Sequence, residues 1–132
     1  MPPISCEPPL AATDGFLQTV RLIEDRRPIG LARWHCPIGS SDGVVQILDF
    51  HIDPKFQRQG QGKRLLTAVL EQCIAYHKLR QIPLRRIWLG LNHRRHVIAR
   101  AFFLSQGFTH IVTTKDLLLP TDDLLIYVRT FD

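Results

Sequence analysis

Two glycines, Gly60 and Gly62, separate an apolar strand from an amphipathic helix, and this junction constrains the chain more than any other feature. Val44 to Asp53 reads as the most apolar strand, with a central place in a sheet. Pro54 ends it, because proline has no N–H to give to a ladder. From Gln61 to Leu79 the apolar residues Leu65, Leu66, Val69, Leu70, Cys73 and Ile74 recur with helical period and form one stripe. A helix starts with unpaired N–H groups and a partial positive charge, which together bind phosphate if the chain can approach closely. Glycine at 60 and 62 permits that approach by removing Cβ, and Arg58, Lys63 and Arg64 add positive charge around it.

Two better-known phosphate loops do not fit. A Walker A loop needs glycine five positions before the Gly of Gly-Lys and then Ser or Thr, and Gln57 and Arg64 stand there. A Rossmann fingerprint needs a third glycine three residues after Gly62, where the chain has Leu65.

The rest of the sequence supplies a sheet around this junction. Phe16 to Glu24 alternates in the manner of a strand, and Asp25-Arg26-Arg27-Pro28 turns it into a second strand, Ile29 to Ile38. After the long helix, Arg86 to Leu91 is a short strand and His96 to Gln106 a second helix, stopped by Gly107. Phe108 to Thr114 and Leu124 to Phe131 complete the sheet. The order β-β-β-α-β-α-β-β predicts an α/β fold: a mixed, mostly antiparallel sheet with helices packed on it. Its third strand, first helix and fourth strand make a right-handed crossover. Residues 1–15 are rich in proline and read as a flexible arm, with one domain over residues 16–132.

The chain has 132 residues and 45% hydrophobic composition, enough for one cored domain. No apolar run reaches the roughly 18 residues of a membrane span, and the start lacks the pattern of a signal peptide, so a cytoplasmic protein is expected. Cys6, Cys36 and Cys73 form no CxxC pair, and Cys73 falls on the helix stripe as a core thiol. His93 and His96 find no third ligand in the sequence, so no metal is expected. His35 beside Cys36 could suggest a thiol nucleophile, but no supporting residue accompanies them. The net charge of +5 favours anionic partners. Nucleic acid would answer that charge, but no nucleic-acid motif accompanies it.

Gln57-x-x-Gly60-x-Gly62 resembles the [Gln/Arg]-x-x-Gly-x-[Gly/Ala] signature of the GNAT superfamily of N-acetyltransferases. Phe50-His51-Ile52-Asp53-Pro54-Lys55-Phe56 before it resembles the family's strand end. Ala99 to Phe108 resembles its second hallmark, Ala-x-x-hydrophobic-Tyr-x-x-x-Gly-Phe. The resemblance covers about Phe16 to the C-terminus. It implies acetyl-coenzyme A as co-substrate, held in a gap between two splayed parallel strands, here Val44–Asp53 and Arg86–Leu91. It assigns pyrophosphate contacts to Gln57, Arg58, Gln59, Gly60, Gln61, Gly62 and Lys63, and pantetheine contacts to Phe50, His51 and Ile52. The family's asparagine before the second helix falls on His96, with Asn92 a rival by a small offset.

Three departures from the family pattern stand out. The family's first strand and two helices have no counterpart before Phe16, which implies an open acceptor side, suited to a protein or peptide or to closure by a second subunit; whether the amine acceptor is a small molecule or a protein stays open. The family's tyrosine, which protonates the departing thiolate, falls on Phe103, which has no proton to give but could lie beside the pantetheine arm. For the base, a commonly used position holds Gln46, which leaves His51, with Asp49, two apart from it on one strand face, and Glu24 as weaker candidates, or free amine arriving through water without a dedicated base. Two functions follow: an N-acetyltransferase acting on an amine in a ternary complex, or an acyl-coenzyme A-binding module without turnover.

Overall fold

A computed structural model describes residues 4–6, 17–38, 41–57, 60–119 and 122–131, and the chain divides after Arg85 into two compact units. The first unit holds four strands, β1 (Ile4–Cys6), β2 (Gln18–Glu24), β3 (Arg27–His35) and β4 (Val44–Ile52), and one long helix, α1 (Gln61–Leu79). Each strand pairs antiparallel with the next, through Cys6↔Val20, Val20↔Ala32 and Ala32↔Phe50. The strand that the family pattern places before β2 was expected to be missing. It is present in short form as β1, within the segment read as an arm. Proline-poor Ile4-Ser5-Cys6 can extend, and the otherwise unpaired edge of β2 supplies its partners. The place of the two missing helices falls on residues 7–16, outside the described residues.

The β2–β3 turn has only Asp25 and Arg26 between its paired ends, and both have positive φ, 50° and 64°. Positive φ at both central residues is the backbone of a tight hairpin turn whose twist matches its strands. One face of β2–β4 carries Val20, Leu22, Ala32, Trp34, Val45, Ile47 and Ile52, all buried. Helix α1 covers it with Leu65, Leu66, Val69, Cys73 and His77. Trp34 anchors the join: its Nε1–H donates to Gln72 Oε1 at 2.6 Å, and its ring meets Tyr76 edge-on. Gly30 makes room for this packing, since a Cβ there would lie 2.7 Å from Ile52 Cδ1. Ile74, assigned to the stripe from its spacing, is 48% exposed. The face instead continues from Val69 and Cys73 to His77, steps of four that follow it farther round the helix.

The second unit holds β5 (Arg86–Asn92), α2 (Val97–Ser105), β6 (Thr109–Leu119) and β7 (Asp122–Thr130). β7 lies between β5 and β6 and is antiparallel to both. Both strands of this last hairpin reach farther than expected, to the pair Leu119↔Asp122, after a register shift between Thr114 and Leu119. Ile87, Leu89, Phe103, Phe108, Leu125 and Tyr127 form its core. Gly107 stops α2 at φ 88°, and Arg129 Nη1 donates to the Gln106 carbonyl beside it. The α/β class, with antiparallel sheet and packed helices, is the one expected. Among the described residues no helix is long and apolar enough to cross a membrane.

Candidate functional site

The junction between β4 and α1 is held by local hydrogen bonds. Asp53 N–H donates to the Ile29 carbonyl at 2.8 Å, extending the β3–β4 ladder by one step. Asp53 Oδ1 then accepts from Lys55 N–H at 3.0 Å and starts a single 3-10 turn, Pro54–Phe56. Gln57 folds its side chain back, and Nε2 donates to the Ile52 carbonyl at 2.9 Å. The family signature named Gln57 as a ligand contact; its amide also braces the turn against the end of β4.

Gly60 is the residue before α1 and stands at φ 77°. A Cβ placed there meets nothing within 4 Å. No side chain caps the helix start, and the first intrahelical bond runs from Arg64 N–H to the Gly60 carbonyl. The N–H groups of Gln61, Gly62 and Lys63 therefore face outward from the first turn with the positive end of the helix behind them. Gln61 is nearly buried and its Oε1 accepts from Arg64 Nη1 at 3.0 Å, which holds that guanidinium over the first turn. Lys63 is exposed, and Arg58 and Gln59 lie outside the described residues.

On β4 the three expected pantetheine residues alternate between faces. Phe50 pairs with Ala32 and Ile52 with Gly30 on the side that α1 covers. His51 pairs with Leu31 and points to the side of the sheet opposite α1. Asp49 shares that side, opposite Arg33, as its spacing from His51 predicted. The Arg33 guanidinium reaches Asp49 Oδ2 at 3.7 Å, so Asp49 is the less available of the two candidate bases. Gln46 Oε1 accepts from the His35 Nε2–H at 2.7 Å, a bond that occupies both side chains. Glu24 stands at the hairpin end of β2, away from this row.

Neither Cys36 nor Cys73 suits a nucleophile. Burial pushes the Cys36 thiol up to about 11, against a smaller opposing effect of the Arg80 cation. Burial, and then the neighbouring Cys36, hold Cys73 well above the ordinary thiol range. Both stay protonated near neutrality, and a protonated thiol attacks poorly.

In the second unit, Asn92 and His96 prove to be two parts of one turn. Asn92 Oδ1 accepts from Arg94 N–H at 3.2 Å and Arg95 N–H at 3.0 Å. Asn92 N–H donates to His96 Nδ1 at 2.7 Å, so a neutral His96 ring carries its proton on Nε2. His96 is exposed at the start of α2, whereas Asn92 is 5% exposed. Phe103 is buried between Phe102 and Phe108, with ring centroids 5.1 and 5.2 Å away.

Sequence reasoning missed a cavity of about 170 Å³ in the first unit, lined by Arg21, Pro28, Ile29, Gly30, Leu31, His51 and Asp53. Its polar residues come from β2 and from the end of β4, and only cross-strand register brings them together.

Residues 18–110 match the model of the acetyltransferase (GNAT) domain. No curated protein matches the chain. Among solved structures, an acetyltransferase assigned to the GNAT family from Desulfovibrio desulfuricans superposes with a TM-score of 0.73 at 23% identity, over 86% of this chain and 69% of that one. A protein from Bacillus anthracis described as a streptothricin acetyltransferase, in complex with acetyl coenzyme A, gives 0.70 at 17% identity, over 93% and 66%. An aminoglycoside 6'-N-acetyltransferase complexed with coenzyme A gives 0.72 at 10% identity, over 86% and 72%.

Proposed function

Because the chain belongs to the GNAT acetyltransferase family, we propose that it transfers an acetyl group from acetyl-coenzyme A to an amine by direct attack within a ternary complex. The observation that carries this reading is the uncapped start of α1, with Gly60 at φ 77° and nothing where its Cβ would stand. Pyrophosphate there would accept from the N–H groups of Gln61, Gly62 and Lys63, with Arg58 and Gln59 completing the turn as in the family signature. Phe50, His51 and Ile52 would carry the pantetheine arm along β4. In the second unit, Asn92 holds the turn that presents His96 Nε2–H.

The chemistry needs a base. His51 is exposed and, unlike Asp49, faces no cation across its strand pair, where Leu31 stands. An acceptor ammonium gives its proton to the His51 ring, and the free amine attacks the thioester carbon. The C–S bond then breaks, the attacking nitrogen gives up its second proton to water to leave the neutral amide, and the departing thiolate takes a proton from water.

One observation favours a second reading, an acyl-coenzyme A-binding module with little turnover. Phe103, where the family has its proton-donating tyrosine, is buried among aromatic rings and has no hydroxyl.

Calorimetric titration with acetyl-coenzyme A tests the shared premise, with Gly60→Ala and Gly60→Glu beside the wild type. Both variants carry the same backbone strain at positive φ. Micromolar binding that survives in the alanine variant and disappears in the glutamate variant supports the site. No binding by the wild type sinks it.

A further inference from the structure

We propose that the outward face of α2, with the arginines around it, is a docking surface for an anionic lipid bilayer. Of the nine residues of α2 only Arg100 and Ser105 are polar. A helix so apolar is ordinarily buried on every side. Here one side meets β5 and β6, with Phe103 buried there. The other side carries Val97 at 55%, Ile98 at 65% and Leu104 at 51% exposure, and Ala101 is exposed among them. Steps of four and three from Val97 through Ala101 to Leu104, with Ile98 alongside, make these residues one stripe.

Cations surround the stripe. Arg94 and Arg95 stand exposed just before α2, and Asn92 Oδ1 holds both of their backbone N–H groups, so the turn presents them from a fixed backbone. Arg100 lies within the helix, one turn after Val97, and its Nε is buried with no hydrogen-bond partner. Among the described residues none of these three guanidinium groups has an ion pair or a hydrogen bond. Asp123 stands across from His93, whose N–H donates to its carbonyl at 2.9 Å, and leaves both neighbouring arginines unpaired. From Arg86 to Lys115 the sequence has no Asp or Glu.

The two chemistries together choose the partner. Nucleic acid would take the arginines and leave the aliphatic stripe in water. A second copy would bring the same three cations against themselves about a two-fold axis, and the net charge of +5 adds to that repulsion. A protein groove would need hydrogen bonds to set its register, and the Ser105 hydroxyl already donates to the Phe102 carbonyl at 2.6 Å. A bilayer needs no register. Its headgroup boundary accepts aliphatic side chains, and its phosphates take guanidinium groups. At about 14 Å, α2 is too short to cross a hydrocarbon core of roughly 30 Å, so the chain lies on the surface. The contact uses neither β4 nor the start of α1 and stands apart from the acetyl-transfer reading.

The test is flotation of the whole protein with vesicles of two parts phosphatidylcholine to one part phosphatidylserine, beside vesicles of phosphatidylcholine alone. The chain should float with the first and not with the second, and high salt should loosen it. Arg94→Gln and Arg95→Gln keep the N–H groups that Asn92 holds, and each should weaken attachment about fivefold. Ile98→Gln should weaken it about tenfold by removing the most exposed aliphatic side chain of α2. All three positions are exposed, so melting temperatures should stay as in the wild type. No flotation with the anionic vesicles, equal flotation with the neutral ones, or attachment unchanged in all three variants overturns the proposal. Binding of duplex DNA or poly-L-glutamate as tight as that of the vesicles, and kept by Ile98→Gln, overturns it in favour of a lipid-free polyanion. A dimer in sedimentation that Ile98→Gln breaks overturns it in favour of a second copy.

Discussion

The side-chain amide of Gln57 donates to the backbone carbonyl of Ile52 at 2.9 Å, so the turn that leads into α1 is tied to the last residue of β4. These two residues lie at opposite ends of the proposed ligand contact, one beside the pyrophosphate and one beside the pantetheine. Gln57→Ala should cost about 1 kcal/mol of stability, the ordinary worth of one such bond. It should also raise the acetyl-coenzyme A Kd about tenfold, because a looser turn must be ordered on binding. Urea unfolding and calorimetry measure the two effects separately. Unchanged affinity would mean that the turn keeps its shape without the brace.

This bond also shows where the sequence was readable and where it was not. Strand, turn and helix around Gly60 and Gly62 could be read directly, because proline, glycine and an apolar stripe are local signals. Asp49 and His51 were placed on one face for the same reason, a period of two. The Arg33–Asp49 pair and the Arg21–His51 row could not be read, since a bulge between Arg33 and Trp34 shifts the register of β3 on β4. Strand β1 escaped notice because three residues give too short a pattern, and its neighbours are prolines. Buried His77 escaped because its polar ring broke the stripe; its Nδ1 bonds with the Cys73 carbonyl at 2.8 Å and makes the position tolerable.

The β2–β3 turn offers a stabilising change. Arg26 sits at φ 64°, is exposed, and pays the steric cost of a left-handed conformation for a residue with a Cβ. Arg26→Gly creates an Asp-Gly turn, the pair best suited to two positive φ angles. Stability should rise by about 1 kcal/mol, with no change in ligand affinity. A lower melting temperature would show that the Arg26 side chain contributes a contact worth more than its strain.

Alkaline pH should destabilise the first unit through its thiols. The Cys36 thiol is held at about 11 in the folded chain, against an ordinary value of 9.0, because burial disfavours the thiolate. Between those values the unfolded chain has lost a proton that the folded chain keeps, so stability falls as pH rises. The contribution is fully present below pH 9 and is lost as pH rises through 11. Cys73 is shifted in the same direction and adds to the slope. Unfolding free energies measured across this range should fall, and Cys36→Ala should flatten the curve. In the native protein Cys36 and Cys73 should resist alkylation near neutral pH, and rapid labelling of either would contradict their burial.

The role of His51 separates a base from a bystander. His51→Gln keeps a side chain of similar polarity but cannot take a proton. If His51 accepts the proton of the acceptor ammonium, kcat/KM should fall about a hundredfold, at the lower end of general-base effects. Acetyl-coenzyme A affinity should stay as in the wild type, because the co-substrate is proposed to contact the backbone at this position. The rise of rate with pH that a histidine base imposes should vanish with it, leaving only the dependence set by the free amine. A uniform loss at every pH would assign His51 to acceptor binding rather than to proton transfer. An unchanged rate would mean that the amine arrives already deprotonated through water and that the acceptor binds without a dedicated base.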